Sequence, residues 1–260
     1  AIYFGEDGVL SLPGYAHCAF GDCFGGDAIT WCCRAEQVRP FSLDIYGMEA
    51  GDRFGYAGSA AQFNQDGTTD ILAGSPGADR NGQVDNGIFY VIFTPQGGFS
   101  PIPDLEDRPH MKITGLHDGD RFGQVQSEVG DINGDFIADI AFASESWDDT
   151  LGADQGYVGV IFGNRPLTGE HGFTPDQVGT PELPGIRFIG PTPGALAGHD
   201  ISGAGDFNSD GYGDLLISAP GATYPKDGKV YQGVVYLIFG GPQLSPGHSC
   251  NKNPNSGNDN

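Results

Sequence analysis

Short apolar runs recur along the chain and are separated by segments rich in Gly, Asp and Asn. The three clearest runs cover residues 87–93, 156–162 and 233–239, and each begins with Gly and ends with Phe. Their β-branched and aromatic residues are typical of buried strands. Shorter runs at Met111–Gly115 and Ile186–Gly190 also fit strands. The pattern therefore predicts many short strands joined by turns rather than helices.

Nine-residue acidic segments precede three further apolar runs, and we call them loop 1 (62–70), loop 2 (131–139) and loop 3 (206–214). In loop 3, oxygen-bearing side chains fall at positions 1, 3, 5 and 9, with Gly211 at position 6. Alternate residues of such a tight loop can turn their oxygens inward, the glycine permits the sharp turn, and position 7 can offer its backbone carbonyl. Each loop leads into an apolar strand rather than into the second helix of an EF-hand. The spacing predicts a calcium loop at the head of a β-hairpin.

The predicted ligands are the residues at positions 1, 3, 5, 7 and 9 of each loop. They are Asp206, Asn208, Asp210, Tyr212 and Asp214; Asp131, Asn133, Asp135, Ile137 and Asp139; and Gln62, Asn64, Asp66, Thr68 and Asp70. Loop 2 has Phe136 in place of the position-6 glycine, and loop 1 begins with the neutral Gln62. Because ligand charge tunes calcium affinity, we expect loop 3 to bind most tightly and loop 1 most weakly, and binding by loop 1 stays open. Asp, Asn and Gly also simply mark turns, but three copies in register favour the metal interpretation.

An internal repeat orders these features along the chain. The element Gly51–Gly55 reappears as Gly119–Gly123, 68 residues later, and more weakly as Gly194–Gly198. Each copy is followed by a strand, an acidic loop, a second strand, a Gly- and Asp-rich connection and a third strand, and a shorter fourth strand closes the unit. Four antiparallel strands per unit are the build of a propeller blade. The sequence thus predicts an all-β fold made of β-propeller blades of four antiparallel strands, with about three and a half blades in this chain.

The repeat resembles a known family. A Phe-Gly pair, an acidic loop, a Gly-Ala-Pro-like segment and an apolar strand that ends in Phe-Gly resemble the FG-GAP repeat of integrin α-subunit propellers and of many other extracellular proteins. Phe54-Gly55 and Phe122-Gly123 match the first element, Ser218-Ala219-Pro220 nearly matches the second, and the resemblance spans residues 41–242. This chain departs from the pattern at Ala197, Glu145 and Gln62. The resemblance implies that the loop between the first and second strands of each blade binds calcium.

The repeat also predicts the domain boundaries. Residues 1–47 hold the third and fourth strands of a partial blade, with a Cys-rich insert at 6–40. Three blades follow, at residues 48–115, 116–190 and 191–242, and the last of them lacks its fourth strand. Residues 243–260 form a flexible tail. Unpaired strands at both ends would leave sheet edges exposed. Two explanations stay open. Either the chain is a segment of a longer protein, or neighbouring copies complete each other's blades, which polymerises them head to tail if the operation does not close.

Charge and cysteine content narrow the class of protein. The 12 Lys and Arg residues against 34 Asp and Glu give a net charge of −22, which argues against nucleic acid or anionic membranes as partners and suits cation binding. No apolar run is long enough to span a membrane. The cysteines are Cys18, Cys23, Cys32 and Cys33 in the insert and Cys250 in the tail, at spacings unlike those of a zinc site. They are disulfide candidates in an oxidising extracellular compartment, with their pairing left open.

Catalytic motifs are weak in this sequence. The six histidines are scattered, and no HExxH, GxSxG or phosphate-binding Gly-Lys-Ser/Thr pattern occurs. The sequence therefore predicts a protein that is not an enzyme. It favours a secreted, calcium-binding propeller that serves adhesion or scaffolding, with an extracellular protein or glycan as its ligand. Two alternatives are a structural subunit of an extracellular filament, assembled by strand completion between copies, and the non-catalytic propeller domain of a secreted hydrolase.

Overall fold

The computed structural model describes residues 3–4, 10–11, 45–94, 105, 110–149, 152–163, 170–226 and 229–244. The chain divides into one unit of residues 1–45 with 101–103 and another of residues 46–100 with 104–260. In the first unit, β1 (Tyr3–Phe4) pairs antiparallel with β2 (Leu10–Ser11). The five cysteines lie outside the described residues, as do residues 41–44 of the predicted fourth strand at 41–47. The strands that follow all belong to the second unit.

The first sheet of the second unit is built from consecutive strands. They are β3 (Gly58–Ala61), β4 (Asp70–Ser75), β5 (Ile88–Ile92) and β6 (His110–Thr114). Each pairs antiparallel with the next, in chain order. Strands β4, β5 and β6 coincide with the runs that the apolar pattern assigns to the second, third and fourth strands.

The second and third sheets repeat this arrangement. In the second sheet β7 (Val125–Gly130), β8 (Asp139–Ser144) and β9 (Tyr157–Ile161) pair antiparallel in chain order. A strand inserted in sequence, β10 (Glu170–Phe173), leaves this sheet and pairs in parallel with β6 of the first. The fourth strand of the second sheet is β11 (Gly185–Ile189), which pairs with β9. The third sheet has the order β12 (Ile201–Gly205), β13 (Asp214–Lys226) and β14 (Lys229–Ile238).

The all-β fold class is confirmed, and two features of it differ from the sequence prediction. Strand β10 was not predicted, and it covers the outer edge of β6, which would otherwise be open to solvent. Strands β13 and β14 are also longer than the apolar runs predict. Their pairing continues past an irregularity between Ala219 and Thr223 and reaches the pair Lys226 and Lys229. Among the described residues, no helix has the length and apolar character needed to cross a membrane.

The core lies between the sheets and is deepest at the third strands. Every residue of β5 and β9 is buried. Phe89 of β5 stacks on Phe142 of β8 with ring centroids 5.0 Å apart, so this pair joins the first sheet to the second. Phe122, which belongs to the repeated Phe-Gly element, is fully buried, and its ring lies 5.7 Å from Trp147 and 5.5 Å from Tyr157.

The third repeat packs differently because Ala197 stands where the other repeats have phenylalanine. Ala197 belongs to a small cluster with Ala195, Ala219 and Ala222, against which Tyr236 packs. The departure from the family pattern at this position therefore leaves a buried contact of small side chains rather than an exposed gap.

Candidate metal loops

Loops 1, 2 and 3 follow the same backbone path between the first and second strands of their sheets. Positions 4 and 6 of each loop have positive φ, in the left-handed region that favours glycine. The φ values at these two positions are 57° and 85° for Gln65 and Gly67, 83° and 69° for Gly134 and Phe136, and 61° and 94° for Ser209 and Gly211. Loop 2 thus keeps the turn geometry even though it has Phe136 at position 6.

The side chains at positions 1, 3 and 5 of loop 2 turn into the loop. Asp131 Oδ1 accepts the N–H of Gly134 at 2.6 Å and that of Asp135 at 3.1 Å, and Asp131 Oδ2 accepts the N–H of Phe136 at 2.7 Å. Asn133 Oδ1 accepts the same Asp135 N–H at 2.9 Å, and Asn133 Nδ2 donates to Asp135 Oδ2 at 3.1 Å. The polar ends of the three side chains therefore gather beside one peptide group, on the inner side of the loop.

Loop 3 repeats these contacts with a more exposed set of side chains. Asp206 accepts the N–H of Asp210 through Oδ1 and that of Gly211 through Oδ2, each at 2.9 Å. Asn208 Oδ1 accepts the Asp210 N–H at 3.2 Å, and Asn208 Nδ2 donates to Asp210 Oδ2 at 2.9 Å. Asp206, Asn208 and Asp210 are exposed, whereas Asn133 of loop 2 is buried. Ions in solution therefore have freer access to the loop 3 side chains.

Loop 1 keeps only the later part of this network. Asn64 Oδ1 accepts the N–H of Asp66 at 3.2 Å, Asn64 Nδ2 donates to Asp66 Oδ2 at 2.9 Å, and Thr68 donates its hydroxyl to Asp66 Oδ1. Burial acts to raise the pKa of Asp66, but the hydrogen bonds from Thr68 and Asn64 outweigh it, so the pKa lies below its ordinary value. Gln62 at position 1 is exposed and brings no charge.

The aspartate at position 9 of each loop ties the loop to the end of the third strand. These residues are Asp70, Asp139 and Asp214, and all three are fully buried. One carboxylate oxygen accepts the N–H at position 2 of the same loop, and the other accepts an N–H just beyond the third strand, from Thr94, Gly163 or Gly240, at 2.9–3.0 Å. The sequence assigned these carboxylates to the metal alone and missed this role, because their backbone partners lie about 25 residues away and carry no side-chain signature.

Burial makes two of the position-9 carboxyl groups, those of Asp139 and Asp70, weaker acids by raising their pKa. Burial raises the pKa of Asp139 to about 7, although the N–H groups of Ile132 and Gly163 act in the opposite direction, and the charges of Asp135 and Asp131 raise it further. Burial also raises the pKa of Asp70, against hydrogen bonds from Thr94 and Phe63. A positive charge near these groups would therefore favour their ionised forms.

The donor chemistry of the loops fits a hard cation. Each loop presents carboxylate, amide and backbone oxygens, the ligand types that Ca²⁺ prefers, with no sulfur or imidazole among them. Within the described residues, no three acidic, His or Cys side chains lie close enough to hold a metal by themselves. An ion in these loops would therefore also need the amide and backbone oxygens at positions 3 and 7.

Loops 2 and 3 contact each other directly. The N–H of Gly213 in loop 3 donates to the backbone oxygen of Asp131 in loop 2 at 2.7 Å. Tyr212 lies against Gly134, where an added Cβ would come within 2.3 Å of its ring. Position 1 of loop 2 and position 7 of loop 3 lie in this contact region. We therefore expect that a change which makes one loop more rigid also makes the other more rigid.

Phe136→Gly is expected to stabilise the chain by about 1 kcal/mol. A residue with a Cβ is strained by roughly 1–2 kcal/mol in the left-handed region. Glycine removes this strain, but part of the gain is lost because glycine gives the unfolded chain more conformational freedom. The ring is 95% exposed, so its removal loses little packing. Thermal unfolding in chelator measures the gain as a rise in Tm of about 2–4 °C. Phe136→Ala keeps the Cβ and should leave Tm unchanged, and an equal gain for alanine would contradict the strain assigned to this position.

A second polar region lies at the opposite ends of the strands, near the Phe-Gly elements. Glu145 stands where the family pattern has proline, and its Oε2 lies 2.5 Å from Nδ1 of His199. Asp52 and Arg80 form an ion pair at 2.6 Å in the first sheet, and Asp120 accepts the N–H groups of Leu116 and His117 at 2.8 Å each. Asp52 and Asp120 directly follow Gly51 and Gly119 in the repeat, and their contacts help to fix the connections between strands there.

Comparison with known proteins supports the resemblance that the repeats indicate. The family described as FG-GAP repeat matches residues 54–92 and 197–238. The chain is 31% identical over 204 residues to human phosphatidylinositol-glycan-specific phospholipase D, covering 76% of this chain and 22% of that protein. It is 32% identical over 197 residues to Drosophila melanogaster integrin alpha-PS5, covering 76% of this chain and 18% of the integrin. Mouse integrin alpha-IIb is 29% identical over 185 residues, covering 69% of this chain and 16% of the integrin.

The matched regions lie within the first and third repeats, and the chain spans about a fifth of the length of these relatives. The second repeat, with Phe136 and Glu145, falls between the two matched regions. Its strands and its loop nevertheless follow the other two, as the φ values and pairings show. The relatives include both integrin α subunits and a phospholipase, so the shared region is the repeat and not one activity.

Proposed function

From the premise that this chain carries FG-GAP repeats, we propose that it is a calcium-stabilised, non-catalytic propeller module of an extracellular protein, with an adhesive or scaffolding role. The observation that carries the proposal is the threefold recurrence of one loop, with positive φ at positions 4 and 6, the same side-chain hydrogen bond between positions 3 and 5, and the same hydrogen bond from the N–H of position 2 to the carboxylate of position 9. The integrin relatives place such repeats in proteins of the extracellular surface, which supports the same location for this chain.

Calcium would supply positive charge where the loops concentrate negative charge. In loops 2 and 3, the carboxylates at positions 1 and 5 would hold it together with the amide oxygen at position 3, the carbonyl at position 7 and the aspartate at position 9. The chain already orients these groups through its own N–H donors, so little side-chain freedom remains to be lost on binding. Because position 9 also holds the end of the third strand, a rigid loop would rigidify the hairpin and the strand beside it.

The partner in this proposal is an extracellular protein or glycan. Phe136 and Phe207 are 95% and 69% exposed on loops 2 and 3, and exposed aromatic side chains are common anchors in binding interfaces. The strongly negative net charge of −22 favours a partner that is neutral or basic, or one bridged through calcium.

We expect chelation of calcium to lower Tm, and the loss should depend on the loop. Calcium that binds only the folded chain, at 100 times its dissociation constant, adds about 2.7 kcal/mol for each independent site. Asp210→Ala should remove more of the calcium-dependent stability than Asp66→Ala, because loop 3 has carboxylates at positions 1, 5 and 9 while loop 1 begins with Gln62. Differential scanning calorimetry of each variant, with calcium and with chelator, gives the comparison.

The matched control for this comparison is Glu182→Ala, which removes an exposed acid outside the loops. Chelator should lower the Tm of Glu182→Ala by as much as it lowers the Tm of the unaltered chain. Equal losses for Asp210→Ala and Asp66→Ala, or no loss for either, would contradict the ranking of the loops. A Tm that is indifferent to calcium in every variant would remove the basis of the proposal.

A second setting for the same module is the accessory propeller of a secreted hydrolase. The observation that favours it is the 31% identity with a phospholipase D over 204 residues, which amount to 22% of that protein. The two settings differ in what the native polypeptide contains beside the repeats. Intact mass and peptide mapping of the protein from its natural source would show a hydrolase domain in this setting, and its absence would leave the adhesive module.

A further inference from the structure

Two hydrogen-bonded peptide groups join loop 3 to loop 2. The N–H of Gly213, at position 8 of loop 3, donates to the carbonyl of Asp131 at 2.7 Å. In the peptide that follows Asp131, the N–H of Ile132 donates to Oδ2 of Asp139 at 2.9 Å. A peptide group is planar and trans, so its C=O and its N–H point in opposite directions. The connection therefore runs from the carbonyl of Tyr212, at position 7 of loop 3, to the position-9 carboxylate of loop 2.

Two glycines allow the loops to approach each other this closely. A Cβ on Gly213 would lie 2.8 Å from the carbonyl oxygen of Val129 and 3.3 Å from the backbone N of Asp131. A Cβ on Gly134, at position 4 of loop 2, would lie 2.3 Å from the ring of Tyr212. Position 8 of loop 3 and position 4 of loop 2 thus fit each other only without side chains.

Loops 1 and 2 do not have this pair of glycines. Position 8 of loop 2 is Ala138, and position 4 of loop 1 is Gln65. Among the described residues, no backbone hydrogen bond joins loop 1 to loop 2. The close contact is therefore specific to loops 2 and 3, although all three loops share one backbone path.

A second link between loops 2 and 3 passes through the residues that follow β14. The N–H of Gly240 donates to Oδ1 of Asp214 at 2.9 Å, and the N–H of Gly241 donates to the carbonyl of Ile132 at 2.8 Å. A Cβ on Gly240 would lie 2.2 Å from the carbonyl oxygen of Gly213 and 2.9 Å from that of Ile132. Position 9 of loop 3 and position 2 of loop 2 are thus held by two consecutive N–H groups.

We propose that loops 2 and 3 bind calcium as a coupled pair, in which an ion in either loop raises the affinity of the other loop. This inference rests on the proposed calcium sites and adds a coupling that loop 1 does not share. An ion held by the carbonyl of Tyr212 orders the peptide group that donates to Asp131, the first ligand of loop 2. The second ion then binds to a loop that is already ordered, so less conformational entropy is lost. The effect is the same in both directions, because coupling between two binding sites is reciprocal.

The charge of the two loops is compatible with this coupling. Each loop has three aspartates among its predicted ligands, so one Ca²⁺ leaves the loop with a net negative charge. An occupied loop therefore does not repel the second ion. The first ion does weaken the attraction for the second, but at physiological ionic strength the Debye length of about 8 Å limits this effect.

Calorimetric titration with calcium at physiological ionic strength tests the coupling. The reference chain carries Asp66→Ala, which disables loop 1, and it should bind two ions. Adding Asp210→Ala or Asp135→Ala to the reference chain leaves loop 2 or loop 3 alone. We call the coupling ratio the product of the two association constants of the reference chain divided by the product of the constants of the two single-loop variants. Independent sites give a ratio of one, and we expect at least about 5, the lower end for coupled sites.

Two further variants separate the contact from the ligands. Gly213→Ala changes no predicted ligand but places a methyl group against the backbone of loop 2, and Tyr212→Ala keeps the position-7 carbonyl while removing the ring from Gly134. Added to the reference chain and to both single-loop variants, each should lower the coupling ratio toward one. Gly58→Ala is the matched control, because the nearest atom to its Cβ is 3.9 Å away, and it should leave the ratio unchanged. Circular dichroism and Tm establish that each variant is folded.

Hydrogen exchange gives an independent readout of the same coupling. With loop 3 disabled by Asp210→Ala, calcium should still slow backbone exchange in residues 206–214, because an ion in loop 2 orders the acceptor of the Gly213 N–H. A coupling ratio of one, a ratio that neither Gly213→Ala nor Tyr212→Ala lowers, or unchanged exchange in residues 206–214 would each overturn the coupling and leave the calcium sites standing. A reference chain that binds no calcium would instead overturn the proposed function on which the coupling rests.

Discussion

Phe122→Ala is expected to lower the free energy of unfolding by about 4 kcal/mol, since truncation of a fully buried phenylalanine costs roughly 3–5 kcal/mol. The Phe122 ring is completely buried, and its centroid lies within 5.5–5.8 Å of those of Phe142, Trp147 and Tyr157. Alanine would leave a cavity that these rigid aromatic rings cannot fill. In thermal unfolding, the loss corresponds to a fall in Tm of roughly 8–16 °C.

The control for this cavity is Phe136→Ala, which removes the same ring from a position that is 95% exposed. Its Tm should stay within about 1 °C of the unaltered chain, because surface substitutions usually change stability by less than about 0.5 kcal/mol. Similar losses for the two variants would show that the Phe-Gly element does not organise the core as the structure indicates.

Gly74→Ala is expected to destabilise the chain by about 3 kcal/mol, the upper part of the usual range for overpacking. A Cβ at Gly74 would lie 1.8 Å from the carbonyl oxygen of Gly123 and 2.8 Å from its Cα. Both contacts are with backbone of the next repeat, so a side-chain rotation cannot relieve them. The added methyl group must push the first and second sheets apart and disturb the stacked pair Phe89 and Phe142. Chemical unfolding in urea measures the loss.

Gly58→Ala provides the comparison for Gly74→Ala in the same sheet. The nearest atom to a Cβ at Gly58 is the carbonyl oxygen of Leu72, at 3.9 Å, and Gly58 has no positive φ. This change should be neutral or slightly stabilising, because alanine restricts the unfolded chain more than glycine does. If Gly74→Ala proved as harmless as Gly58→Ala, the close contact between the first two sheets would be wrong.

The strands with a continuous apolar pattern and the positions of the three loops could be predicted from the sequence. Runs such as 87–93 and 156–162 are continuous and β-branched, and β5 and β9 lie within them. The loops could be found because their residue types recur at fixed spacing, and their shared φ pattern follows from the same turn. Loop 2 shows that residue type alone does not determine the turn, because Phe136 has a φ of 69° at the position where glycine is expected.

Other features depend on partners that no local pattern reveals. Strand β10 has the sequence Glu-His-Gly-Phe, which has little strand character, and it forms because the edge of β6 is available for pairing. The hydrogen bond between Asp139 and the end of the third strand depends on the N–H of Gly163, which any residue except proline could supply. Ala197 could not be interpreted from sequence either, because its compensation by Ala195, Ala219 and Tyr236 exists only in the packed structure.

The number of calcium ions bound by each chain tests the central claim most directly. Isothermal titration of the chelator-treated chain with calcium should show at least two bound ions, with the tightest site lost in Asp210→Ala and further binding lost when Asp135→Ala is added. The double variant must be folded by circular dichroism for the comparison to hold. The account predicts this ordered loss from loop 3 and then loop 2. An absence of binding at millimolar calcium, or the same number of ions in the double variant, would contradict it.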